Sequence, residues 1–174
     1  MIMDSLLLFD GSVNDQGTLV GTSVNSGTTF SVGSTDSANI IDVSQIASSK
    51  SGLGRDIGIG GPELKIEIEV MSAFASDGNA TMQIELQTAP DSGSGTPGSW
   101  SVINMTPAIP VANLTVGQIN YLDIVPGVQK FLKLTYVVGS ANMTQGAIVA
   151  GIVLDRENLG PNLAYPSGFS TLYI

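Results

Sequence analysis

The sequence predicts an all-β protein, a jelly-roll-like two-sheet β-sandwich with extended N- and C-terminal arms. Several short segments alternate apolar with polar residues, as strands with one buried face do. Turn residues separate these segments, and the chain has 21 glycines and 8 prolines against only 12% charged residues. No segment shows a convincing helical period, so short strands joined by turns are favoured over amphipathic helices.

One domain is expected, because 174 residues fall within the usual size of a single folded unit. We place the sandwich body at residues 39–155. Residues 1–38 are predicted to form an N-terminal arm, in which residues 11–38, rich in Gly, Ser and Thr, make a surface excursion or an extra weak hairpin. Residues 156–174 are predicted to be a C-terminal docking tail.

The clearest strand covers residues 64–71, where Ile66, Ile68 and Val70 alternate with charged residues. Turn residues at 77–79 are followed by a second alternating segment at 81–88, which predicts that the two strands pair as a hairpin. Glu67, Glu69 and Glu85 would then share its polar face. Solvated positions explain these three acids better than a glycosidase pair or a calcium site.

Further strands are predicted at residues 39–45, 100–105, 118–125 and 129–138. Residues 146–154 (GAIVAGIVL) are apolar on both faces and mix small with large side chains. This pattern predicts a central strand that is closely covered on both sides.

Apolar residues at the two ends of the chain lie outside the periodic body and are the candidate partner contacts. A terminal apolar segment either folds back over its own sandwich or docks on a neighbour, and we expect docking. The predicted contact residues are Leu6, Leu7, Leu8, Phe9, Tyr165, Pro166, Phe169 and Tyr173.

The composition excludes much catalytic chemistry. Without histidine or cysteine there can be no serine–histidine triad, histidine metal centre or thiolate site, and we expect no enzyme activity, no metal and no cofactor. A formal net charge of -9 disfavours nucleic acid and anionic membranes as partners. Residues 58–62 (GIGGP) lack the strand and helix of a dinucleotide-binding loop, so they are read as a turn.

Several segments in order resemble a family of capsid cement, or decoration, proteins of podovirus-like tailed bacteriophages. They are residues 6–9 (LLLF), 39–43 (NIIDV), 55–58 (RDIG), 86–91 (LQTAPD), 127–136 (GVQKFLKLTY), 150–155 (AGIVLD) and 165–169 (YPSGF). The Gly/Ser/Thr-rich stretch at 11–38 is longer than in the family's pattern. The resemblance covers most of the chain after residue 39.

This resemblance implies a structural virion protein that binds the outer surface of a phage capsid and cements neighbouring major capsid proteins. It also implies self-association, for which a dimer is expected in preference to a trimer. A carbohydrate- or receptor-binding sandwich on the phage surface is the alternative, and an enzyme that uses carboxylates alone is a third class.

Overall fold

Two antiparallel sheets form the body in the computed structural model, which describes residues 7–23, 30–45 and 64–154. The prediction of an all-β sandwich is confirmed, and the arrangement is compatible with a jelly roll. In chain order the strands are β1 (Leu8–Asp10), β2 (Ser12–Val13), β3 (Leu19–Val20), β4 (Thr22–Ser23), β5 (Gly33–Asp36), β6 (Ile41–Asp42), β7 (Leu64–Ser76), β8 (Thr81–Ala89), β9 (Ser101–Met105), β10 (Ile109–Pro110), β11 (Ile119–Asp123), β12 (Phe131–Gly139) and β13 (Met143–Leu154).

The five-stranded sheet has the order β1-β13-β7-β11, and β4 also pairs with β13. The six-stranded sheet has the order β10-β8-β12-β5, with β9 also beside β8 and β6 also beside β12. Strands β2 and β3 form a separate small hairpin. The first described part of the excursion predicted for residues 11–38 is therefore a hairpin, and its later strands β4 and β5 join the two main sheets.

The core lies between the two sheets. Ile66, Ile68 and Val70 of β7 enter it from the five-stranded sheet, and alternate residues of β8 and β12 enter it from the other side. Phe30 packs edge-on against Tyr136, with 5.2 Å between ring centroids. Burial of each large apolar side chain contributes about 1.5–3 kcal/mol, so this interface is the main source of stability.

The predicted pairing of residues 64–71 with 81–88 is wrong. Strand β7 pairs with β13 and β11, whereas β8 pairs with β12, β9 and β10 in the opposite sheet. The turn after Ser76 thus carries the chain from one sheet to the other. The alternation correctly indicated which face of each strand is buried. The buried face of β7 and the buried face of β8 point into the same core from opposite sheets.

The prediction that residues 146–154 are covered on both faces is confirmed. Ile148, Ala150 and Ile152 lie in the core between the sheets, while Val149 is buried with Leu8 on the outer face. The β2–β3 hairpin segment covers that outer face closely. A Cβ atom on Gly11, whose φ is +95°, would lie 2.9 Å from Cγ2 of Val149.

The N-terminal region is part of the body in its described portions. Strands β1 and β4 hydrogen-bond to β13, and β5 hydrogen-bonds to β12, so the predicted arm of residues 1–38 contributes strands to both sheets. The predicted strand at residues 39–45 is shorter than expected. It consists of β6 followed by a 3-10 turn at Val43–Gln45.

Candidate interaction surface

Only part of the predicted contact set lies in the described chain. Leu8 and Phe9 are 2% and 0% exposed, and Leu7 packs half-buried against the core. The structure therefore places Phe9 in the core between the sheets and Leu8 in the buried cluster with Val149 on the outer face, so neither side chain is exposed for docking. The remaining predicted contacts lie outside the described residues and stay predictions: Leu6, Tyr165, Pro166, Phe169 and Tyr173.

A buried carboxylate fastens this N-terminal segment to the body. Asp10 is 1% exposed, and its Oδ2 accepts a 2.6 Å hydrogen bond from the hydroxyl of Tyr136 in the opposite sheet. Its Oδ1 accepts a 3.0 Å hydrogen bond from the backbone N–H of Ala38. Asn39 adds a backbone hydrogen bond of 2.9 Å to the carbonyl of Phe9. Strand β1 is thus connected to both sheets.

Burial dominates the electrostatics of this pair. Desolvation raises the pKa of Asp10 above its ordinary value, and the hydrogen bonds from Tyr136, Ala38 and Thr22 only partly oppose it. Desolvation and the nearby Asp10 carboxylate raise the pKa of Tyr136 well above its ordinary value. The hydroxyl therefore stays protonated and acts as a hydrogen-bond donor.

The three acids considered as a candidate site do not converge. Glu67 and Glu69 lie on β7, whereas Glu85 lies on β8 in the other sheet. Glu67 is also only 3% exposed, because it lies in the middle of the sheet between Tyr121 and Gly151. Within the described ranges, no group of three or more acidic, histidine or cysteine residues could hold a metal ion.

Lysines on the six-stranded sheet are held by neighbouring acids. Lys133 Nζ lies 2.6 Å from Asp36 Oδ2 and 4.6 Å from the ring centroid of Trp100. Partial burial raises the pKa of Asp36, but the hydrogen bonds from Lys133 and Thr135 outweigh this effect and lower it overall. The lysine therefore occupies one face of the indole, and that face is not available to stack on a sugar ring.

A second ion pair orders the loop after β8. Lys130 Nζ lies 2.6 Å from Asp91 Oδ2, and Asp91 Oδ1 accepts backbone hydrogen bonds from Gly93 and Gly95. The hydrogen bond from Lys130 is the main reason that the pKa of Asp91 lies below its ordinary value. Two of the lysines in the described chain are therefore neutralised on the same sheet.

Exposed apolar side chains lie on β11 of the five-stranded sheet and in the turn that precedes this strand. Val116, Ile119 and Tyr121 are 66%, 40% and 54% exposed, and we call these three residues the β11 stripe. Ile119 and Tyr121 are two residues apart on β11, so their side chains point to the same face. Exposed apolar rows of this kind mark interaction surfaces more often than isolated exposed residues do.

The sequence pattern did not reveal this stripe. Residues 119–124 carry large apolar groups at both parities, with Ile119 and Tyr121 in one set and Leu122 and Ile124 in the other. Only the structure shows that Leu122 and Ile124 are buried. A period of two cannot identify the buried face when both faces are apolar.

A family model described as Bbp16 matches residues 27–152, which is most of the chain. No curated protein matches the chain. In the portion that the structure describes, none of the helical turns is long and apolar enough to cross a membrane.

Proposed function

The chain belongs to the Bbp16 family, and from this premise we propose that it is a structural virion protein that binds the outer surface of a phage capsid and cements neighbouring major capsid proteins. The observation that carries the proposal is the position, within the fold, of the segments that resemble cement proteins. Those within the described ranges form the body itself: 39–43 at β6, 86–91 at the end of β8, 127–136 at β12 and 150–154 at the end of β13.

The proposed mechanism is thermodynamic linkage. A protein that binds the assembled lattice and not its separated subunits stabilises the lattice by mass action. Because one bound copy would contact several capsid subunits, modest contacts add up through multivalency. The net charge of -9 suits a basic or mixed protein surface as the partner.

Self-association, as a dimer in preference to a trimer, is part of this proposal. Each dimer would double the number of capsid contacts per bound unit. The proposal includes no catalysis, no cofactor, no nucleic acid and no membrane. Analytical ultracentrifugation of the purified protein over a range of concentrations measures the association state, and a monomer at every concentration would contradict this part.

Cosedimentation with capsids that lack the protein tests the function. Purified protein should pellet with expanded capsids at saturating stoichiometry, and cryo-EM of the decorated particle should show density outside the shell. Decorated capsids should also withstand a higher temperature than bare ones. Absence of capsid binding together with binding on a glycan array would support the carbohydrate-binding alternative instead.

A further inference from the structure

The β11 stripe is held in a fixed conformation. Val116 lies in the turn before β11, where the N–H of Gly117 donates to the carbonyl of Val70 and the N–H of Gln118 donates to the carbonyl of Thr115, at 2.8 Å and 3.0 Å. Ile119 follows in the strand that pairs with β7. Because the backbone is already ordered, a partner that binds here does not have to order it.

The chain covers one half of this outer sheet face with its own residues. Leu19 of the β2–β3 hairpin packs with Met71 of β7 against the buried pair Leu8 and Val149. That cover lies over β13. At β11, the other side of the sheet, Val116, Ile119 and Tyr121 remain exposed. Among the described strands of this sheet, the exposed large apolar side chains thus lie on β11, while Val13 and Val20 of the covering hairpin are also exposed.

Acidic residues border the stripe. Glu69 lies directly opposite Ile119 on β7, Glu67 lies opposite Tyr121, and the exposed Asp123 ends the strand. Lys65, opposite Asp123, is the one basic residue in this register. Lys130 and Lys133 belong to the other sheet, where Asp91 and Asp36 hold them. Because Glu67 is only 3% exposed, the accessible negative charge at this border comes from Glu69 and Asp123.

This charge decides between two possible occupants. A second copy would bring the same acidic residues, Glu69 and Asp123, to this particular contact, and like charges at close range oppose association there. A partner with an apolar patch surrounded by Lys or Arg would instead be complementary in both respects. We infer that the β11 stripe docks on such a basic-bordered apolar patch of the major capsid protein, an inference that rests on the proposed function.

Two substitutions on the stripe, one matched control and one charge reversal at its border test this inference. Val116→Asp and Ile119→Asp should each raise the protein concentration needed for half-saturation of cement-free capsids by about tenfold or more, because a charge would be buried in an apolar contact. Val32→Asp changes a valine that is 56% exposed away from the stripe, and it should bind like the wild type. Glu69→Lys should weaken binding through its charge, and added salt should weaken binding of the wild type.

The outcomes separate the inference from the function on which it rests. If the wild type decorates capsids and both stripe variants decorate them equally well, the inference is overturned while the proposed function stands. If the variants lose self-association instead of capsid binding, the stripe is a contact between copies and the inference is also overturned. If the wild type itself does not bind, the proposed function fails and the inference fails with it. Val116 is 66% exposed in a turn, so Val116→Asp should leave the melting temperature unchanged. That measurement would show that the variant is folded.

Discussion

Asp10 and Tyr136 form a buried polar contact whose role is structural. Their side chains come from opposite sheets and are 126 residues apart in sequence. A buried carboxylate is unfavourable unless hydrogen bonds satisfy it, and here the phenol of Tyr136 and the N–H of Ala38 do so. This contact explains why β1 belongs to the body and does not behave as an arm.

Removing the phenolic hydroxyl tests that role. Tyr136→Phe keeps the ring in its packing against Phe30 but leaves Oδ2 of Asp10 without its closest donor. The free energy of unfolding should fall by about 1–3 kcal/mol, the usual effect of leaving a buried polar group unsatisfied. Urea titration followed by tryptophan fluorescence measures it, and stability equal to the wild type would contradict the assignment.

The pH dependence of stability gives a second test at the same residue. Because the pKa of Asp10 is raised in the folded state, its contribution is fully present below the unfolded pKa and is lost as pH rises through the folded pKa. The wild type should therefore lose stability relative to Asp10→Asn as the pH rises above 3.8, the ordinary pKa of an aspartate. Asp36 and Asp91, whose pKa values are lowered, act in the opposite direction, but they are present in both proteins and cancel in the difference. A difference that does not change with pH would contradict the prediction.

At the scale of the strand, the alternation of apolar and polar residues indicated which face of a strand is buried. It did not indicate to which neighbouring strands that strand hydrogen-bonds. The alternation predicted for residues 81–88 agrees with the structure, in which Met82, Ile84 and Leu86 are buried in the core. It could not show that β7 and β8 lie in different sheets, because either arrangement buries the same side chains. Strand β1 was missed as a body element because its three residues are buried on both faces, which leaves no alternation to detect.

The sequence predicted the contact residues less well than it predicted the buried faces of the strands. Apolar runs outside the periodic segments were expected to dock, yet Leu8 and Phe9 are buried within the chain itself. Conversely, Ile119 and Tyr121 lie within a predicted strand and are exposed. Hydrophobicity alone does not distinguish an interior position from an interface, since both are sites that exclude water.

A glycine near the start of β13 gives a prediction at this scale. Gly146 has φ of +133°, and a Cβ atom there would lie 2.3 Å from Cδ1 of Phe74. Gly146→Ala should therefore lower the free energy of unfolding by about 2 kcal/mol or more, through both backbone strain and overpacking. Thermal or urea unfolding measures this change.

The matched control is Gly93→Ala, whose φ of +100° is similarly unfavourable for alanine but whose added Cβ atom would have no neighbour within 4 Å. Gly93→Ala should lower the free energy of unfolding only through backbone strain, without the contribution from overpacking. If the two variants were equally stable, close packing against Phe74 would not explain the glycine at 146.

For the whole molecule, the C-terminal residues provide the next prediction. We expect deletion of residues 165–174 to leave the melting temperature nearly unchanged and to abolish decoration of cement-free capsids in cosedimentation, because aromatic anchors at interfaces contribute about 2 kcal/mol or more each. A fall in melting temperature would mean that the tail packs on its own sandwich. Normal decoration by the truncated protein would rule out the tail as a docking element.

The pairing of β1 with β13 also has a consequence for synthesis of the chain. Leu8 lies opposite Gly151, so the first described strand completes its sheet only after the last one has left the ribosome. Non-local strand pairing of this kind is slow, and the apolar faces of β7 and β8 must wait for partners made later. Ribosome-stalled chains that end before Met143 should therefore be cleaved readily by added protease, and resistance should appear only when β13 has emerged. Folding is expected to be delayed until β13 has emerged, and nascent chains on neighbouring ribosomes would be exposed to aggregation until that strand is complete.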